Sequence, residues 1–180
     1  MRTFHSALSL IALFVLIVLT VVLLRMYKTE DGVPITDFES CVAAGNPVQE
    51  SYPERCVSKN GEAFSRDIGN ELEKIDLIRI SSPRPGDKVT SPLSISGEAR
   101  GLWYFEASFP VRLLDDKGNV IAAYYATAKE EWMTEDFVPF ETVLTFEMPE
   151  SGSGVLILHK DNPSGLPQHD DELRVPVQFR

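Results

Sequence analysis

From Ile75 to the carboxyl end, apolar residues recur with a period of two, and that period dictates what this half of the chain can become. Trp103, Phe105, Ala107, Phe109, Val111 and Leu113 share one parity, while Tyr104, Glu106, Ser108, Pro110 and Arg112 take the other. In an extended chain such alternation places one apolar row on one face. Ile78 with Ile80, Leu93-Ile95-Gly97-Ala99, Leu144-Phe146-Met148, Val155 to His159, and Leu173-Val175-Val177-Phe179 repeat the pattern. Asp115 to Asn119 reads as a hairpin connection, with Gly118 free to take positive φ, and Val120 to Ala126 returns as the partner strand. Pro176 cannot donate a ladder bond and suggests an edge position. About seven strands with turn signals between them require two sheets packed face to face. The expected fold is therefore all-β, an immunoglobulin-like sandwich over 75–180 with Trp103 in its core. It lacks an inter-sheet disulfide, because no cysteine follows Cys56.

The amino-terminal part obeys a different rule. Ala7 to Leu24 is a run without charge. As a helix it would span about 27 Å, close to the thickness of a bilayer's hydrocarbon core. No small-residue cleavage pattern follows it, so residues 1–28 are read as an uncleaved signal anchor rather than a removed signal peptide. The first 28 residues carry three cations (Arg2, Arg25, Lys28) and no acid, so the net charge of −10 becomes −13 on residues 29–180. An acidic body of this kind repels phosphate, which excludes nucleic acid as a partner.

Residues 29–36 read as a spacer, 37–67 as a small unit with both cysteines, and 68–74 as a charged linker. Asp37 is placed to cap a short helix through Cys41, Val42 and Ala43. Cys41 and Cys56 close a short polar loop; outside the cytosol such a pair forms a disulfide, and inside it would stay as two thiols. Flanking charge leaves the orientation of the anchor undecided, and the cysteines favour the amino terminus inside and the rest outside.

Candidate chemistry is sparse. Serines, acids and His5, His159 and His169 are present, but no Gly-x-Ser-x-Gly supports a nucleophile, and Gly152-Ser153-Gly154 reads as a turn. No catalytic residue and no cofactor is assigned, and the chain is read as a non-enzyme. Asp161, Asn162, Asp170, Asp171 and Glu172 bracket a loop and form a candidate calcium set, although turns favour the same residue types. His159 with His169 is a poorer zinc pair, lacking a third ligand. Trp132, in the charged stretch Lys129 to Asp136, is the candidate partner contact, or else it plugs one end of the sandwich.

The stretch Ile78-Arg-Ile-Ser-Ser-Pro-Arg-Pro-Gly-Asp-Lys-Val89 with Pro92-Leu-Ser-Ile-Ser-Gly-Glu-Ala99 resembles the opening of the immunoglobulin-like domain of bacterial spore germination proteins. Trp103 to Phe109, the Val111-to-Asn119 hairpin and the closing Leu173 to Phe179 fit it as well, so the resemblance covers roughly 76–180. Cys41 to Cys56 with Gly61-Glu-Ala-Phe64 is similar to a small module of bacterial envelope lipoproteins, without their lipidated cysteine. Both resemblances imply a bacterial extracytoplasmic setting, and neither supplies catalytic residues. The expected function is an interaction module held at the bacterial cytoplasmic membrane, contacting an envelope protein or a cell-wall polymer. The rival expectation is a cell-envelope enzyme or peptidase inhibitor acting through the 41–56 loop.

Overall fold

The computed structural model describes residues 16–20 and 34–180. Of the apolar run at 7–24, residues 16–20 are helical, with the Thr20 hydroxyl donating to the Ile17 carbonyl at 2.8 Å. The rest of the expected anchor lies outside the described residues. Among the described residues no helix is long and apolar enough to cross a membrane. The chain divides into two units, residues up to 49 with 56–64, and residues 50–55 with 65–180.

The smaller unit carries helix α1 (Phe38–Ala43) and a three-stranded sheet in the order β1 (Val48–Gln49), β2 (Arg55–Val57), β3 (Ala63–Ser65). Asp37 is the N-cap: its carboxylate accepts from the Ser40 N–H at 2.7 Å while the Ser40 hydroxyl accepts from the Asp37 N–H at 3.1 Å. This reciprocal box satisfies two donors that six residues of helix leave open. Cys41 and Cys56 are joined by a disulfide with Cα atoms 6.0 Å apart. Both are fully buried, and with Phe38 they form the unit's small core. So few apolar residues make a slender core, and the crosslink compensates by restricting the unfolded chain.

The larger unit contains helix α2 (Glu71–Lys74) and eight strands. These are β4 (Ile78–Ser82), β5 (Lys88–Val89), β6 (Leu93–Arg100), β7 (Ser108–Asp115), β8 (Val120–Ala128), β9 (Phe137–Leu144), β10 (Ser153–His159) and β11 (Glu172–Phe179). Their order is β4-β6-β9-β8-β7-β10-β11-β5, antiparallel throughout except for β11 with β5. β8 meets β9 only at Thr127↔Glu141 and Ala128↔Phe140, and there the sheet turns back on itself. The result is a sandwich of β4-β6-β9 against β8-β7-β10-β11-β5. Phe109 of β7 and Phe140 of β9 meet edge to face across it with ring centres 5.0 Å apart. Phe146 and Phe179 do the same at 6.1 Å.

The alternation supplies this core directly. Ile78, Ile95, Phe109, Val111, Leu113, Phe140, Leu156, Leu158, Leu173 and Val175 are all buried, as is Trp103. Gly97 has a packing role: a Cβ there would lie 2.6 Å from the Phe140 ring and 2.2 Å from the Arg79 carbonyl.

Three expectations need correction. The larger unit has eight strands rather than about seven, because the two-residue β5 has too little pattern to read. The apolar row from Trp103 to Leu113 is not one strand. Gly101–Trp103 is a 3-10 turn, and Phe105 and Ser108 bracket a tight turn in which Glu106 and Ala107 take φ of 49° and 60°. The strand expected at Leu144 to Met148 lies earlier: Val138, Phe140, Thr142 and Leu144 point inward, and the polar Thr142 hid the period. Within the expected charged linker 68–74, Ile68 and Glu71 are buried.

Candidate functional site

The Trp132 end of the sandwich is built by two approaching backbones. Strand β8 ends at Ala128, and the connection to β9 must travel around the end of the domain. It folds on itself: the Thr134 N–H donates to the Trp132 carbonyl at 2.8 Å and the Met133 N–H to Glu131 Oε1 at 3.0 Å. Arg100 Nη1 holds the Glu135 carbonyl at 3.0 Å. On the other side is Gly101, where a Cβ would lie 2.0 Å from the Thr134 carbonyl oxygen and 2.3 Å from that of Trp132. Only glycine lets these backbones come so close.

Trp132 is half-buried and packs against the main core. Its neighbour Met133 is 73% exposed and Leu102 is 54% exposed. These side chains line one open cavity of about 500 Å³ together with Tyr104 and Glu135. Tyr104 anchors the floor, its hydroxyl donating to the Val138 carbonyl at 2.7 Å, and burial pushes its phenol well above the usual range. Glu135 lines this cavity, Glu130, Glu131 and Asp136 are exposed in the same segment, and none of the four joins an ion pair among the described residues. The site is an apolar mouth with an anionic rim. Sequence reasoning singled out Trp132 but not Met133 or Leu102, because nothing in the local pattern distinguishes an exposed apolar residue from a core one.

The candidate calcium residues line one cleft but do not converge on a common point. Asp171 pairs with Lys74 at 2.6 Å, and Glu172 with Arg174 at 2.6 Å. Asp170 accepts from the Asn162 amide at 2.7 Å. Each of these groups is thus taken by a different neighbour, Lys74, Arg174 or Asn162. Among the described residues no group of three or more metal-binding side chains forms. The surrounding polar cleft, about 660 Å³, also holds Arg112, Lys160 and His159. Burial lowers the His159 pKa, opposed by Glu172, whose Oε2 lies 3.4 Å from Nδ1, and reinforced by Arg112 and Arg174. Burial also pushes the Asp161 carboxyl up.

The segment between the cysteines contributes one more constellation in the larger unit. Glu71 is 5% exposed and is held bidentately by Arg84, with Nη1–Oε1 2.6 Å and Nη2–Oε2 3.1 Å. The Tyr52 hydroxyl donates to the same carboxylate and accepts from Arg84 Nη2 at 2.8 Å. Burial, followed by the Glu71 bond and charge, raises the Tyr52 pKa to about 12. A buried charge must be paired and fully hydrogen-bonded, and this one is. The arrangement is structural: each of its polar groups is already used.

Compared with known proteins, residues 77–165 match the family model of the immunoglobulin-like domain of bacterial spore germination. No curated protein and no solved structure matches the chain.

Proposed function

Since residues 77–165 belong to the family of immunoglobulin-like domains of bacterial spore germination, we propose that this protein is an extracytoplasmic interaction module. In this reading the N-terminal apolar run tethers it to the cytoplasmic membrane of a bacterium, and it carries out no chemical step. The observation that carries the reading is the mouth at Leu102, Trp132 and Met133. A thioether 73% exposed beside a half-buried indole, in a segment carrying four exposed carboxylates, stands outside the buried core. Exposed apolar groups inside a polar rim are what a protein-binding surface requires.

The rim also selects the partner. Anionic wall polymers are repelled by Glu130, Glu131, Glu135 and Asp136, so of the two expected partner classes an envelope protein is favoured. Its contact would present an apolar side chain flanked by Lys or Arg. Tethering adds to the affinity by confining both partners to one surface layer. The Cys41–Cys56 disulfide supports the oxidising compartment. The rival reading through the 41–56 loop is less well supported, because Tyr52, the exposed aromatic in that loop, is committed to Glu71 and Arg84.

A photo-crosslinking residue placed at 133 in membranes tests this. The expected result is a discrete adduct that disappears in the Leu102→Asp variant and weakens as salt rises, while the same residue at the exposed position 117 gives none. Equal adducts from both positions would contradict the reading.

A further inference from the structure

Every sheet edge presents unpaired backbone groups, and folded proteins blunt such edges with charge, proline or a covering segment. Two edges of this sandwich follow that rule. Beside β11, strand β5 covers Gln178 and Phe179, the Gly86 N–H donates to the Pro176 carbonyl at 2.8 Å, and the Asn70 amide bonds both Glu172 and Arg174. Along β4, Arg84 Nη1 occupies the Ile80 carbonyl at 2.6 Å, and Arg79 is charged.

Strand β8 does not follow the rule. From Val120 to Ala126 it pairs with β7 alone, because β9 joins only at Thr127 and Ala128. The hydrogen bonds fix which groups face the gap. The Ala128 N–H donates to Ala107 on the β7 side, whereas the Lys129 N–H donates to Pro139 on the β9 side. Alternation then turns the backbone groups of Ala123 and Tyr125 toward the gap. Thr142 Oγ1 donates to the Tyr125 carbonyl at 2.8 Å across it. The Tyr125 N–H and both backbone groups of Ala123 have no ladder partner among the described residues.

The side chains leave the edge accessible. Val120 to Ala128 contains neither charge nor proline. Tyr124 shares the inward parity of its partner Val111 yet is 63% exposed, because the opposite layer has already splayed away; Tyr125 is 55% exposed. The gap is an open groove of about 680 Å³ whose walls include Ser94, Ser96, Thr142 and Val143.

We propose that this groove receives an extended, uncharged segment of a second protein, added as a strand to the open edge of β8. The open Ala123 N–H and C=O and the Tyr125 N–H, about 7 Å apart along the strand, are matched by another extended backbone and not by a sugar or a helix. Val143 and the tyrosines favour aliphatic side chains on the segment. A second copy of this chain is disfavoured, because two bodies each carrying −13 on residues 29–180 repel one another.

The test uses the full-length chain in detergent and a blocked peptide of alternating Val and Thr as probe. Hydrogen exchange is expected to slow at Tyr125 and Ala123 when the peptide is added. N-methylation of alternate peptide residues is expected to weaken binding about tenfold, as loss of edge hydrogen bonds does. Ala123→Pro removes one outward N–H while sparing the β7 ladder, and is expected to weaken binding similarly. Unchanged exchange at both amides would overturn the proposal, as would equal binding of the methylated peptide. Protection that needs no peptide and rises with protein concentration would overturn the assigned occupant in favour of self-pairing.

Discussion

His159 shows how one residue's surroundings set a measurable property of the whole. It stands on β10 opposite Glu172, with Arg112, Arg174 and Asp170 acting on it electrostatically, and burial depresses its pKa below the ordinary 6.5. The unfolded chain therefore binds this proton more readily than the folded one. The stabilisation is full above pH 6.5 and is lost as the pH falls from 6.5 toward the depressed value. Urea unfolding at pH 7.5 and 5.5 should show a loss of stability that His159→Gln reduces; an equal loss in both proteins would contradict the assignment. Glu71 is the opposite case. Its carboxylate is buried but fully answered by Arg84 and Tyr52. Neither environment was legible in the sequence, because burial depends on which strands become neighbours. Asp37 was legible, since a cap needs only the residues that immediately follow it.

At the level of elements, period-two alternation identified strands wherever the inward face was wholly apolar, as in Leu93–Arg100 and Glu172–Phe179. It failed where one inward residue is polar, and Thr142 concealed β9 for that reason. It also over-extended the Trp103 row, since alternation says nothing about a turn taken by Glu106 and Ala107 without a glycine. The candidate site was legible only at Trp132; the mouth around it depends on Gly101 meeting Thr134, a contact between segments far apart in sequence. The smaller unit carries an element-scale prediction. Cys41 and Cys56 close a loop with a sequence separation of 15, which corresponds to about 3 kcal/mol of restricted unfolded-chain entropy. Replacing both by alanine should strongly accelerate amide exchange across α1, and unchanged exchange there would show that Phe38 and its neighbours suffice.

At the scale of the molecule, the apolar run, the disulfide and the acidic sandwich fit one account. In the proposed reading a membrane tether would hold the β domain in an oxidising space, and its end mouth and the open edge of β8 would meet other proteins. Phe109 and Phe140 join the two sheets through the layered core that carries these surfaces. An acidic domain beyond the membrane stays soluble near anionic headgroups and wall polymers while attracting basic partners. Compartment is the premise on which the rest of this depends. The direct measurement places a cysteine at Lys117, on the exposed β7–β8 hairpin, and treats intact cells with a membrane-impermeant maleimide. The account predicts labelling before the cells are permeabilised; labelling that appears only after lysis would contradict it.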